Sequence, residues 1–203
     1  MRRFPAGDKS AFRLPNRHSL TKFLERMDTK SSLEPPDCHF LSAAVGWLEL
    51  GNPAEAENEL RQVSPANQDA AEVLVVHWFI QERQGAWERA REVAQRMRQA
   101  HPGNAFGHIH YAYALRRAPG GGLEAAWHAL EPAVDLFPKE PIIPYNLACY
   151  AAQLDRKDQA WDWLQKAMAV GDKTLLRKMA LADEDLKSLW PRLAEGSKKP
   201  GQA

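Results

Sequence analysis

Apolar positions recur every three or four residues along most of the chain, which is the spacing of one face of an α-helix. In the clearest stretch, this face carries Trp87, Ala90, Val93, Ala94 and Met97. Charged residues take most of the positions in between, so one side of this helix is expected to face solvent. The pattern therefore predicts a series of amphipathic helices.

The helical pattern repeats with a period of about 34 residues. Two series of mostly small residues show this period. The first series has intervals of 34, 34 and 36 residues and consists of Ala44, Trp78, Ala112 and Ala148. The second has intervals of 34, 36 and 34 residues and consists of Ala56, Ala90, Ala126 and Ala160. The two extra residues of the third repeat fall near Gly120–Gly122, where a loop absorbs an insertion at little cost. Two series with one period predict four repeats of two helices each.

The predicted first helices of the repeats span 38–50, 71–83, 105–117 and 142–154, and the second helices span 53–63, 86–100, 123–137 and 157–170. The recurring alanines are expected where paired helices cross, because closely packed helices need small side chains there. Trp78 occupies one of these positions, so we expect it to turn outward or to loosen the packing of its repeat. Pro132 is expected to kink its helix, or to end and restart it, because proline removes a helical hydrogen bond.

The turns between the helices complete the pattern. Gly51 and Gly85 stand at the first two turns, Gly121 lies in the longer third loop, and Asp155 takes the fourth. With the period and the small positions, this pattern resembles the tetratricopeptide repeat (TPR), and residues 145–167 resemble the last repeat of many bacterial TPR proteins. The resemblance implies an all-α, right-handed α-solenoid of four helix hairpins, 37–70, 71–104, 105–140 and 141–171, with C-terminal capping helices over 172–194.

Both ends of the chain differ from the repeats. Residues 1–36 are predicted to form a basic, partly disordered arm with a short helix over 19–28; residues 1–30 hold eight Lys and Arg against three acids. We expect this arm to pack on the first repeat, and the alternatives are a nucleic-acid or anionic-surface contact or a self-bound peptide in the repeat groove. The segment 174–190, with Asp183 as an N-cap, is expected to close the last repeat as a lid. Residues 195–203 are predicted to be a disordered tail.

Composition excludes several classes of protein. The chain holds 31 Ala and 22 Leu but only 15 Val, Ile and Thr, which argues against all-β and α/β folds. A net charge of +1 does not favour nucleic acid as a partner. With no membrane-length apolar stretch, no secretory signal and two cysteines expected to be buried thiols, we expect a cytoplasmic protein without membrane contact.

Motifs of catalytic or metal chemistry are missing from the sequence. His108 and His110 are two residues apart, so on a helix they point in different directions and cannot hold one ion. Gly120–Gly122 has neither a preceding strand nor a following Gly-Lys-Ser/Thr, so it does not match a phosphate-binding loop. We therefore predict no enzymatic activity, no metal, no cofactor and no small-molecule substrate.

The TPR resemblance implies a different kind of site, because first helices in that family line a concave groove that binds peptides or proteins. The corresponding side chains here are Val75, Phe79, Arg83, Phe106, Ile109, His110, Tyr113, Arg116, Tyr145, Asn146 and Gln153. Cys149 lies on the same face. Aromatic and arginine side chains suit a binding surface, although several of these could instead pack against the next repeat or the N-terminal segment.

We therefore predict a non-catalytic interaction module or scaffold in a bacterial cytoplasm. It would hold a protein or peptide segment of mixed apolar and acidic character in the groove. Two alternatives remain: a chaperone for a secreted or unstable client protein, and nucleic-acid or anionic-surface binding through the basic arm.

Overall fold

A computed structural model describes residues 33–195, and these residues form helices and turns without a strand. They divide into two compact units, which we call the N-terminal unit (33–137) and the C-terminal unit (138–195). The all-α prediction is confirmed for this part of the chain. The predicted arm over 1–36 lies outside the described residues except for its last four residues, and its predicted helix 19–28 and the tail beyond Glu195 lie wholly outside them.

The N-terminal unit contains seven α-helices and a short 3₁₀ turn at Pro65–Asn67 within the described range. The helices are α1 Asp37–Glu49, α2 Pro53–Leu60, α3 Ala71–Arg83, α4 Trp87–Ala100, α5 Ala105–Arg117, α6 Leu123–Leu130 and α7 Ala133–Leu136. Consecutive helices pack as the pairs α1/α2, α3/α4 and α5/α6, while α2 also contacts α3 and α4 contacts α5.

The C-terminal unit begins with a fourth packed pair. Its helices are α8 Ile142–Gln153, α9 Lys157–Val170, α10 Lys173–Ala182 and α11 Trp190–Glu195, with a 3₁₀ helix over Glu184–Leu189 between the last two. The 3₁₀ helix contacts α8, α9 and α10. Within residues 33–195, no helix has the length and apolar character needed to cross a membrane.

The recurring alanines lie where the pattern predicts small residues. All seven have no exposed surface; they are Ala44, Ala56, Ala90, Ala112, Ala126, Ala148 and Ala160. A side chain no larger than a methyl group lets two helix backbones approach closely. Their burial is thus confirmed.

Three hairpin turns share one backbone geometry. Gly51, Gly85 and Asp155 have positive φ angles of 78°, 67° and 58°. At each turn the next residue donates a backbone hydrogen bond of 2.9 Å to the carbonyl five residues before it: Asn52 to Trp47, Ala86 to Gln81, and Arg156 to Ala151. This is the Schellman pattern that ends helices with a left-handed residue.

The helix bounds differ from prediction mainly in two second helices. The second helix of the first repeat ends at Leu60 instead of residue 63, and in the loop that follows Gln68 Nε2 donates to the Val63 carbonyl at 2.7 Å. In the third repeat, α6 ends at Leu130 and α7 restarts at Ala133, with Pro132 between them. The predicted interruption at Pro132 is confirmed as an end and a restart.

A buried carboxylate fixes the loop after α2. Asp37, at the start of α1, accepts hydrogen bonds from the Ser64 backbone at 3.0 Å and from Asn67 Nδ2 at 2.7 Å, and the Ser64 hydroxyl also donates to it. These bonds hold the pKa of the Asp37 carboxyl below its ordinary value. The loop is therefore tied to the first turn of α1.

Candidate partner-binding site

Aromatic rings from α3 and α5 meet in the N-terminal unit; we call Trp78, Phe79, Phe106, His110 and Tyr113 the aromatic cluster. The rings of Phe106 and His110, one helical turn apart, are stacked with centroids 3.6 Å apart. Trp78 packs edge-on against His110 at 4.4 Å, and Phe79 lies 6.2 Å from Phe106. Such offset and edge-to-face pairs stabilise an interface between two helices.

The predicted site residues of this unit differ in exposure. Most are buried: Val75, Phe106, Ile109, His110 and Tyr113. Phe79 and Arg116 are half-buried, whereas Arg83 is exposed and lies 3.5 Å from the Glu82 carboxylate. Only the last three therefore present accessible surface in this conformation, and their role in binding a partner stays a prediction.

Trp78 does not turn outward, so that alternative is wrong. Its ring is 1% exposed and belongs to the aromatic cluster. Helix α5 supplies Phe106 and His110 as ring partners for Trp78. The other three repeats carry an alanine at the position of Trp78. The larger side chain is thus accommodated by aromatic packing.

Polar atoms that the sequence pattern did not single out lie beside this cluster along α3. The Trp78 indole N–H and both polar atoms of the Gln81 amide are buried without a hydrogen-bond partner. Gln81 has no exposed surface. An unsatisfied buried polar group costs about 1–3 kcal/mol, so this turn of α3 is less stable than an apolar equivalent would be.

His110 contributes a ring and no positive charge. Burial lowers its pKa to about 3, although its Nδ1 lies within hydrogen-bond distance, 3.0 Å, of the Phe106 carbonyl. The imidazole is neutral at physiological pH as a result. Positive charge on this part of the predicted site comes from Arg83 and Arg116.

In the C-terminal unit, three residues spaced four apart form a row along α8, and we call Tyr145, Cys149 and Gln153 the α8 stripe. The Tyr145 hydroxyl donates to Asp183 Oδ2 at 3.1 Å, and the Cys149 thiol donates to the same oxygen at 3.6 Å. Gln153 Nε2 donates to the backbone carbonyl of Asp185 at 3.2 Å. The whole stripe therefore contacts residues more than 30 positions away in the sequence.

The stripe contacts Asp183 and Asp185, which belong to the stretch Asp183–Trp190 that we call the C-terminal segment. Asp183 Oδ1 accepts the Asp185 backbone N–H at 3.0 Å, which confirms the expected N-cap. Leu186 and Leu189 have no exposed surface. The Trp190 indole donates to the Ala180 carbonyl at 2.9 Å.

Burial and the nearby Asp185 carboxylate raise the pKa of Asp183, while hydrogen bonds from Asp185, Tyr145 and Cys149 oppose the shift. Burial also raises the pKa of the Tyr145 hydroxyl well above its usual range. Tyr145 thus keeps its proton and acts as a donor to the carboxylate.

The sequence pattern predicts the candidate groove residues and the lid as separate features, and the structure brings them together. Tyr145 and Gln153 contact the C-terminal segment directly, whereas Asn146 is buried with its Nδ2 atom unpaired. The pattern predicts Asp183 only as a cap and does not reveal its second role as acceptor for the stripe. The sequence signal for this contact is the row of donor side chains at 145, 149 and 153. Their spacing shows that they share a helix face but not which segment of the chain they contact.

Among residues 33–195, no three His, Cys, Asp or Glu side chains are grouped so that they could hold an ion. Both cysteines are free thiols, Cys149 buried and Cys38 half-buried. Models of known protein families give no match to the chain, and no curated protein is significantly similar to it.

Proposed function

We propose that this protein is a non-catalytic interaction module or scaffold that binds a peptide or protein segment on the face formed by its first helices. In this proposal the chain is an α-solenoid of four TPR-like hairpins that acts in a bacterial cytoplasm. The common turn geometry at Gly51, Gly85 and Asp155 supports the repeat interpretation.

The occupied stripe on α8 is a supporting observation. Tyr145 and Gln153, selected from sequence as partner-binding residues, hydrogen bond to a separate stretch of chain. One bond goes to a carboxylate and the other to a backbone carbonyl, which are groups that any acidic peptide presents. A surface that holds one chain segment in this way is suited to hold another.

The observation that carries the proposal is the pair of accessible side chains on α3, Phe79 and Arg83, in the N-terminal unit. Within the aromatic cluster, the Phe79 ring packs edge-on against the Trp78 ring, yet Phe79 is only half-buried. Arg83 lies one turn further along the helix and is exposed. An aromatic ring held in place by its neighbours, beside an arginine, is typical of binding hot spots.

Quantitative co-purification of the full chain from its native host, after mild crosslinking, tests the proposal. The variants are Phe79→Ala and Arg83→Glu, with Arg89→Glu as the matched control, because Arg89 is exposed on the neighbouring helix α4. Loss of a hot-spot side chain typically costs about 2 kcal/mol or more, so recovery of a specific partner is expected to fall about tenfold or further.

The control decides between a specific site and general charge attraction. We expect Arg89→Glu to recover the same partner as the unchanged protein. If Phe79→Ala and Arg83→Glu also leave the recovered proteins unchanged while circular dichroism shows intact folding, the face on α3 is not the binding surface.

A further inference from the structure

We propose that the α8 stripe is a binding site for an acidic, leucine-containing segment of a partner protein, and that the chain's own C-terminal segment occupies this site when no partner is bound. This inference rests on the proposed function, because it names the chemistry of the segment that the first-helix face would take. It also makes the C-terminal segment an internal competitor of the partner.

The polar contacts define the first part of the ligand. Two donors, the Tyr145 hydroxyl and the Cys149 thiol, converge on one oxygen of Asp183. Gln153, at the end of the stripe, donates to the backbone carbonyl two residues later. A ligand therefore needs a carboxylate at its first position and a chain that continues along α8 in the direction of that helix.

The buried leucines of the segment define the second part of the ligand. A 3₁₀ helix has about three residues per turn, so residues three apart line one edge. In the C-terminal segment this edge carries Asp183, Leu186 and Leu189, and both leucines are fully buried. Glu184, Lys187 and Ser188 are exposed on the other side. The recognised pattern is thus an acidic residue followed by leucines three and six positions later.

Two features make the segment a replaceable ligand. Its backbone is held by a short 3₁₀ helix, whose hydrogen bonds have poorer geometry than those of an α-helix. Its leading carboxylate is partly desolvated beside the Asp185 carboxylate, and these two effects raise the pKa of Asp183. A segment with the same leucines and a second carboxylate placed further from the first would lack that repulsion.

Access to Cys149 reports whether the stripe is covered, because this thiol is 1% exposed beneath the segment. With Cys38→Ser as the parent, Cys149 is the chain's one remaining thiol. Adding Leu189→Ala weakens the hold of the segment, and we expect alkylation of Cys149 to become about tenfold faster or more. A peptide with the sequence of residues 182–190, added in excess, is expected to slow alkylation back towards the parent rate.

Matched controls test whether the protection of Cys149 is specific. The same peptide with alanine at both leucine positions is expected to give no protection. Gln153→Ala in the receptor chain is expected to weaken protection by the unchanged peptide, whereas Gln165→Ala, exposed on α9, is expected to leave it unchanged. If the unchanged peptide does not slow alkylation of the loosened, folded chain, the proposal is overturned.

Hydrogen exchange on the unaltered protein covers the case in which Leu189→Ala unfolds the C-terminal unit. A releasable segment exchanges its amide hydrogens at residues 184–190 about tenfold faster or more than α8 does, because it opens without global unfolding. Equal exchange in the segment and α8 means a single cooperative unit and overturns the proposal. The two proposals can fail separately. If partner recovery depends on Phe79 and Arg83 but the peptide does not protect Cys149 from alkylation, this inference is overturned and the proposed function stands.

Discussion

The hydroxyl group of Tyr145 donates a hydrogen bond of 3.1 Å to the carboxylate of Asp183, across 38 residues of sequence. This contact joins the first helix of the C-terminal unit to the segment that follows its last long helix. Because Cys149 donates to the same oxygen, the carboxylate is the point on which the segment is held. The stability of this contact is open to direct measurement.

Asp183→Asn should change how the stability of the protein depends on pH. Because burial raises its folded pKa, Asp183 stabilises the fold fully below its unfolded value near 3.8, and this contribution is lost as pH rises through the folded pKa. Asparagine does not ionise, so we expect the variant to gain stability relative to the parent between about pH 4 and about pH 7. Urea unfolding at both pH values measures this, with Asp172→Asn, at an exposed cap, as the control. The same pH dependence in parent and Asp183→Asn would contradict the prediction.

Gly121→Ala should destabilise the N-terminal unit strongly. A Cβ atom at this glycine would lie 1.8 Å from the Leu115 carbonyl oxygen, which is backbone and cannot rotate away. We expect a loss of about 2–4 kcal/mol, or a rearranged loop, seen as a lower urea midpoint. Gly103→Ala is the matched control, because a Cβ atom added there would have no other atom within 4 Å and the φ angle of Gly103 is ordinary. Similar stabilities for the two variants would show that the loop has a different course.

Asp155→Gly should stabilise the C-terminal unit by about 1 kcal/mol, because Asp155 adopts a left-handed conformation that glycine takes without strain. The exposed ion pair between Asp155 and Lys157, 3.4 Å apart, contributes little and does not offset this gain. Thermal unfolding measures the change, and Asp155→Asn is expected to stay close to the parent because asparagine tolerates this conformation. No gain in the glycine variant would mean that the turn differs from those at Gly51 and Gly85.

His110 should make the N-terminal unit sensitive to acid. Its folded pKa of about 3 lies below its unfolded value of 6.5, so its contribution to stability is present above 6.5 and is lost as pH falls towards 3. The slope is up to about 1.4 kcal/mol per pH unit. Burial lowers the pKa of His77 and His108 as well, so these two histidines contribute acid sensitivity of their own. We therefore expect His110→Phe to reduce the slope and His128→Gln, an exposed control, to keep it unchanged. A parent-like slope in His110→Phe would count against the buried neutral ring.

Periodicity and turn chemistry predicted the helices well because both are local. The bounds of α3, α5 and α9 match the predicted ranges, and Pro132 interrupts its helix as expected. Helical spacing shows which side of a helix is apolar but not what covers it. For that reason the sequence could not show that Trp78 packs on His110, nor that Asp183 lies on the stripe at Tyr145; both contacts depend on segments distant along the chain.

Photo-crosslinking from single positions in the native host tests the central claim, partner binding by the first-helix face, most directly. A photoreactive amino acid replaces Arg83 in one full-length protein and Arg89 in another. The proposal predicts a covalent adduct with one specific partner from position 83, lost when Phe79→Ala is added, and none from position 89. Equal adducts from both positions, or an adduct from position 83 that persists in Phe79→Ala, would contradict it.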